Sequence, residues 1–250
     1  MTVPKYHENA VYVYQTDVNE SALTTGLDKS YLILANKTVV LGEDYIPSTL
    51  TELDDAVVVS WHESLELESY VAAALYEMMD EMKHVGINDV SVTSAYRSYA
   101  RQQSLFNQYL SKEMSGISND AVRCFGEYYI KVNYQDKGIT KLSYEDALQV
   151  VLSYSARPGT SEHQTGLCVD LITDGMGTSL DESFEDYEAF AWLSENAYKF
   201  GFILRYPKGK ENITGYTYEP WHYRFVGREA ATDIHFSGLT LEEYLGAVEG

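Results

Sequence analysis

The stretch Leu167-Cys168-Val169-Asp170-Leu171-Ile172 is apolar at every position but one. Read as a strand, it puts Cys168, Asp170 and Ile172 on one face and Leu167, Val169 and Leu171 on the other. A strand this apolar belongs in an interior, where a bare carboxylate is costly, so Asp170 needs a partner. The turn-rich segment "RPGTSEHQTG" precedes it, and Gly166 permits a sharp bend before the strand begins. From that loop His163 can reach back over the strand start and share a metal ion with Asp170. His-x6-Asp is a weak signal by itself, and Asp170 reads equally well as a hydrogen-bonded structural carboxylate.

A second stretch, "YEPWHYRF", sets Glu219 and His222 around Pro220 and Trp221. The proline argues against a helix. In a straight strand residues 219 and 222 point to opposite faces. Pro220 breaks that regularity, so both side chains can turn toward one point. His163, Asp170 and His222 then supply two nitrogens and one oxygen. Catalytic zinc takes three protein ligands and keeps a fourth position for water. A carboxylate held beside the metal without ligating it can accept the proton of that water. Glu219 fits this role, which a helix provides in the H-E-x-x-H proteases. The other four histidines, His7, His62, His84 and His235, read as surface or capping residues.

Residues 1–30 read as an N-terminal extension with at most one strand, in "AVYVYQ". "YLILAN", 31–36, reads as a buried strand or extended segment. Apolar residues at helical spacing predict a helix over 64–84, stopped by Gly86. "DVSVTSAYRS" alternates like a strand, and a helix is expected over 99–112. "AVRCFGEYYIKVNY" reads as a helix interrupted by Gly126. "SYED", 143–146, resembles a capping box with Asp146 in the glutamate position. "FEDYEAFAWLSENAYKFG" is an amphipathic helix ended by Gly201, "FILRY" and "WHYRFV" are strands, and the tail forms two short helices, the second capped by Thr240. With no linker or repeat, one α+β domain over 31–250 is the economical reading.

A formal charge of −20 argues against nucleic-acid binding through phosphates and against anionic membranes. No apolar run approaches the roughly 20 residues that span a bilayer, and "MTVPKYHENA" lacks the features of a signal peptide. Two cysteines, Cys124 and Cys168, are too few for a disulfide framework and read as buried free thiols.

"SAYRSYARQ", "PGTSEHQTGLCVDL", "KFGFILRYPKGKENITGYTYEPWHYRFVG" and "LILANK" resemble the VanY-type zinc D-alanyl-D-alanine carboxypeptidases, and the similarity runs over 31–250. The resemblance implies an α+β fold with a mixed, largely antiparallel central sheet flanked by helices, the Hedgehog/D,D-peptidase-like fold. It also implies one zinc ion, with His163, Asp170 and His222 matching the ligands and Glu219 the base. Arg97 and Gln102 match substrate-side positions, and Ser161 matches the serine two places before the first ligand. Cys168 stands where alanine is usual, and "LANKTVVLGEDY" departs from the family pattern.

The chemistry leaves several roles open. Arg97 can hold the substrate's terminal carboxylate, stabilise the oxyanion, or form a structural ion pair. Gln102 is a hydrogen-bond donor to substrate main chain or a surface glutamine. Ser161 donates to the carboxylate or caps its loop. Tyr154, Trp221 and Tyr223 wall the pocket or pack the core. The activity implied is removal of the C-terminal D-alanine from peptidoglycan stem peptides ending in D-Ala-D-Ala. An L,D-carboxypeptidase, a D,D-dipeptidase and a non-catalytic zinc-stabilised peptide-binding module are the alternatives. The partner expected is the stem peptide, and the setting extracytoplasmic, with a membrane anchor expected in the full-length protein outside this chain.

Overall fold

The structure, a computed structural model, describes residues 3–23, 29–59 and 65–248. The chain groups into two compact units, one of Met1–Leu34, Ile46–Arg97 and Glu162–Gly250, the other of Ala35–Tyr45 and Ser98–Ser161.

The first unit is built on two antiparallel sheets. Strands β1 (Leu50–Glu52) and β2 (Glu66–Glu68) pair with each other. Strands β3 (Val90–Ser94), β4 (Cys168–Thr173), β5 (Phe202–Leu204) and β6 (His222–Phe225) form a four-stranded sheet in the order β3-β4-β6-β5. Every pair in it is antiparallel, and one parallel bridge, Val58 to Val92, sits at its β3 edge. The largely antiparallel sheet flanked by helices is thus present as expected.

Alternation along the strands divides the large sheet into two faces of opposite character. Leu167, Val169, Leu171, Phe202, Tyr223 and Phe225 turn to one side. There they pack with Val71, Ala74, Leu75, Met78 and Met82 of helix α2 in one apolar cluster. The opposite face carries Cys168, Asp170, His222 and Arg224, all buried.

A short α1 (Glu20–Leu23) precedes α2 (Ser69–His84). Helix α2 starts later than its apolar spacing predicts. Residues 66–68 pair with β1 instead, and the Glu68 side chain caps the helix by accepting from Tyr70 N–H at 2.9 Å. The predicted start at Ser64, and His62, lie outside the described residues.

No strand forms at "AVYVYQ" or "YLILAN". In the first, backbone N–H groups of Gln15 and Thr16 go to the Glu81 carboxylate. In the second, a 3₁₀ turn covers Lys29–Leu32 and the Tyr31 and Ile33 carbonyls accept from Arg224 at 2.9 and 2.7 Å. Side chains thus satisfy the backbone that a strand ladder would have satisfied. His7 is not a bare surface residue, since its Nδ1 meets Asp233 at 2.8 Å.

In the second unit, α3 (Tyr99–Glu113), α4 (Asn119–Phe125), α5 (Glu127–Asn133) and α6 (Tyr144–Tyr154) enclose a small core of Ala121, Ile130, Tyr134, Leu142, Ala147 and Val150. Gly126 separates α4 from α5 as its position suggested. Ser143 caps α6 by accepting from Asp146 N–H at 3.1 Å. The reciprocal half of the capping box is absent: the Tyr134 hydroxyl accepts the Ser143 N–H at 3.2 Å and holds the Asp146 carboxylate.

The first unit finishes with α7 (Glu188–Asn196), α8 (Glu211–Thr214), α9 (Arg228–Ser237) and α10 (Leu241–Val248). The helix expected before Gly201 is split into α7 and a 3₁₀ turn, Ala197–Phe200. Thr240 does cap α10, accepting from Glu243 N–H at 3.2 Å while the Glu243 carboxylate returns to Thr240 N–H at 2.8 Å.

Gly166 sits directly before β4 with φ +66°. A Cβ there would meet Pro47 Cγ and Leu50 Cδ2 at 3.1 Å. Gly166→Ala is therefore expected to lose about 1–3 kcal/mol of stability, from the left-handed backbone and crowding together. Urea denaturation against the parent chain measures it, and an unchanged midpoint refutes it.

Candidate metal centre

The site lies on the polar face of the four-stranded sheet. In register, Ser94 pairs with Asp170 and Asp170 with His222. Just past β5, Arg205 N–H donates to the His222 carbonyl at 3.2 Å. One row of residues thus crosses β3, β4 and β6 and ends just beyond β5. His163 comes from the loop before β4, in the 3₁₀ turn Glu162–Thr165.

The Asp170 carboxylate bridges the two imidazoles. Its Oδ1 lies 2.9 Å from His222 Nδ1 and its Oδ2 lies 3.2 Å from His163 Nε2. Each ring faces an acceptor on its other side as well. His163 Nδ1 is 2.7 Å from the Ala95 carbonyl. His222 Nε2 is 3.5 Å from Glu162 Oε2, an ion-pair distance too poorly aligned to count as a hydrogen bond.

A neutral imidazole has one N–H and one lone pair. With acceptors at both nitrogens, the His163 ring must carry a second proton or turn a lone pair to a cation; His222 engages Asp170 through Nδ1 alone. The arrangement therefore fits a metal ion at the Asp170 side. His163 Nε2, His222 Nδ1 and an Asp170 oxygen would then be the donors, and the Ala95 carbonyl holds the outer nitrogen of His163.

Electrostatics follow the same logic. Burial by itself would push the His163 imidazole down, but Cys168 and Asp170 hold it up at about 9. Burial likewise opposes ionisation of Asp170, yet the two imidazoles keep it well below the usual carboxylate range. Burial would raise the Cys168 thiol, and the same rings bring it down to about 7.

Glu162 anchors a second layer that sequence reasoning missed. Its Oε1 accepts from Arg205 Nε at 2.8 Å and from Arg224 at 2.7 Å. Arg205 forks onto Glu242 at 2.9 and 2.6 Å. Both arginines and Glu162 are fully buried. The signal was available: arginine in "FILRY" and "WHYRFV" breaks apolar strands as Asp170 does.

Residues 219–221 form a turn, and β6 begins only at His222. The Glu219 carbonyl accepts the His222 N–H at 3.2 Å, and Glu219 Oε2 comes within 3.8 Å of His222 Nδ1. Pro220 thus sits in a bend that turns both side chains one way. Burial raises the Glu219 carboxyl to about 7, with Asp170 adding to the shift and the imidazoles opposing it. A carboxyl titrating near neutrality suits proton transfer.

Arg97 joins the same cluster. Its N–H donates to the His163 carbonyl at 3.0 Å, and its guanidinium donates to Ser94 Oγ at 3.0 Å. Trp221 is half-buried against the apolar core, and the fully buried Tyr223 belongs to that core. Gln102, Ser161 and Tyr154 belong to the second unit. Gln102 is buried and donates to the Ala156 carbonyl at 2.6 Å, so it is not a surface glutamine. Ser161 is also buried, and Tyr154 donates to Glu113 at 3.3 Å. Of the two thiols only Cys168 is buried; Cys124 is exposed.

The chain belongs to the VanY D-alanyl-D-alanine carboxypeptidase family, which matches residues 64–228. The Bacillus subtilis (strain 168) protein YodJ is 36% identical over 224 residues, 88% of this chain and 69% of that protein. The chain spans 54% and 45% of the lengths of two enterococcal D-alanyl-D-alanine carboxypeptidases, from Enterococcus faecalis (strain ATCC 700802 / V583) and Enterococcus faecium.

Among solved structures, the LdcB LD-carboxypeptidase superposes with TM-score 0.65 and 36% identity, over 86% of this chain and 85% of that one. The vancomycin-resistance enzyme VanY, as a variant with Zn(II) and again with D-Ala-D-Ala, superposes with TM-score 0.63 and 33% identity. Those matches cover 86% of this chain and 99% and 97% of the VanY chains.

Proposed function

We propose that the chain is a zinc-dependent D,D-carboxypeptidase that removes the terminal D-alanine from stem peptides ending in D-Ala-D-Ala. The observation that carries this reading is the pair of imidazoles bridged by the Asp170 carboxylate, with Glu219 beside them. His163, Asp170 and His222 would hold the zinc, which when bound would supply a Lewis acid for the scissile carbonyl and the attacking water. Glu219 takes a proton from that water as its oxygen bonds to the carbonyl carbon. The same proton then passes to the departing D-alanine nitrogen as the C–N bond breaks. Arg97 binds the substrate's terminal carboxylate or the oxyanion. Residues 31–250 form the catalytic domain, with 1–30 as an extension. No helix among the described residues is long and apolar enough to cross a membrane, and the substrate puts the enzyme's work outside the cytoplasmic membrane.

D-alanine release from a pentapeptide ending in D-Ala-D-Ala, set beside a tetrapeptide ending in one D-Ala, tests the reading. Turnover of the pentapeptide, abolished by chelator and restored by zinc, is expected. Turnover of the tetrapeptide alone would make this an L,D-carboxypeptidase, as LdcB is named. Binding of both without cleavage would leave a peptide-binding module.

Zinc uptake by the metal-free protein at pH 7 should release protons. His163 titrates at about 9 and must lose its proton to ligate. Affinity therefore falls as pH drops, about tenfold per unit for each proton displaced. Calorimetry in buffers of different ionisation enthalpy counts them, and zero release contradicts the ligand assignment.

Arg97→Lys keeps the charge but not the planar fork. A loss confined to KM would assign Arg97 to ground-state carboxylate binding, and a loss in kcat to the oxyanion. Near-normal kinetics in the folded variant would leave it a structural role.

A further inference from the structure

Cys168 is fully buried on the same face of β4 as Asp170, two residues before it. Its Sγ and ring nitrogens of His163 and His222 all lie within 4.8 Å of one another. Metal bonds of 2.0–2.3 Å place tetrahedral donors about 3.5 Å apart, so a shift of about an ångström would close this set. A buried free cysteine ordinarily packs as a small hydrophobe among apolar neighbours. Here the neighbours are two imidazoles, and the residue opposite in register is Arg224. Thiolate is also a softer and stronger zinc donor than water.

Resting on the assignment of His163, Asp170 and His222 as ligands, we propose that the Cys168 thiolate is a fourth protein donor to the same metal. In the substrate-free enzyme it fills the position that the attacking water needs. The resting site is then closed, with two imidazoles, one carboxylate and one thiolate. It opens when an incoming substrate displaces the thiolate from the metal. An alanine at this position leaves the site permanently open.

Cobalt(II) loaded into the metal-free protein and followed by absorption tests this. The parent protein should show visible ligand-field bands from the imidazole and carboxylate donors, together with an intense near-ultraviolet thiolate-to-cobalt band. Cys168→Ala and Cys168→Ser should keep the first and lose the second. D-Ala-D-Ala added to the parent should bleach the thiolate band. Zinc affinity, measured against a chelator, should fall at least tenfold or so in Cys168→Ala, since even residues one layer out cost about 10–100-fold. At full metal loading that variant should show a higher kcat/KM than the parent. Ligand-field bands without the thiolate band in the parent, and a spectrum unchanged in Cys168→Ala, would overturn the proposal. Absence of any cobalt band would overturn the ligand assignment beneath it and the proposal with it.

Discussion

Glu219→Gln should leave a folded, metal-loaded protein whose D-alanine release is reduced by about a hundredfold or more, as loss of a general base typically costs about 10²–10⁴-fold. The substitution keeps size and shape and removes only the ability to take a proton. Glu219 lies 3.8 Å from His222 Nδ1 and makes no contact with His163 of the kind Asp170 makes. Metal content by elemental analysis should therefore match the parent. The parent's acid limb should also change. The Glu219 carboxyl is raised to about 7, so it must ionise to act and activity falls below that pH. The glutamine variant has no such group, and its residual rate should lose that limb. Loss of metal would make Glu219 a ligand. Full activity with full metal would hand the base to another group.

Glu162→Ala should lower stability by about 3–5 kcal/mol, the usual cost of stranding buried charges. The carboxylate lies between two fully buried guanidiniums. Arg205 would keep Glu242, but Arg224 would keep only the carbonyls of Tyr31, Ile33 and Phe225. Chemical denaturation of metal-free proteins separates this loss from any change in metal affinity. A change within about 0.5 kcal/mol, as for an ordinary surface site, would refute it. The same carboxylate sets an acid limit. The two arginines hold it well below its ordinary range despite burial. A depressed carboxyl stabilises fully above its unfolded value, near 4.3, and that stability is lost as pH falls further. In Glu162→Ala this part of the acid dependence should be missing.

The two layers of the site were not equally legible in the sequence. Asp170 announced itself because a carboxylate in an apolar strand demands a partner, and Pro220 because it forbids the regular alternation that would separate Glu219 from His222. Arg205 and Arg224 carried the same kind of signal but only as half of a pair. Their partner, Glu162, sits in a polar loop where a charge attracts no notice, and no spacing rule connects 162 to 205 or 224. "YLILAN" misled for a related reason. Tyr31 and Ala35 are buried and Leu32, Ile33 and Leu34 half-buried, but Arg224 captures the Tyr31 and Ile33 carbonyls that a neighbouring strand would have bonded. Helix α2 began late because Glu66–Glu68 found a strand partner sixteen positions upstream at Leu50–Glu52, which helical periodicity cannot register.

The row that crosses the sheet draws Ser94, Asp170, Arg205 and His222 from positions far apart in the chain. Strands β5 and β6 are near neighbours in sequence, whereas β4 meets β6 across 52 residues at the Asp170–His222 pair. Closing that loop, like the longer one that joins Ser94 to Asp170, is entropically costly in a chain of this topology. His222 therefore arrives beside His163 and Asp170 only when the β5–β6 hairpin docks on β4. Before docking, the segment from His163 to Asp170 lacks His222 and would hold an ion only weakly. Tight capture of a metal ion at the candidate site would therefore wait for the β4–β6 pairing. Quenching of a reporter cation during refolding should accordingly follow the formation of β4–β6 hydrogen bonds and never precede it.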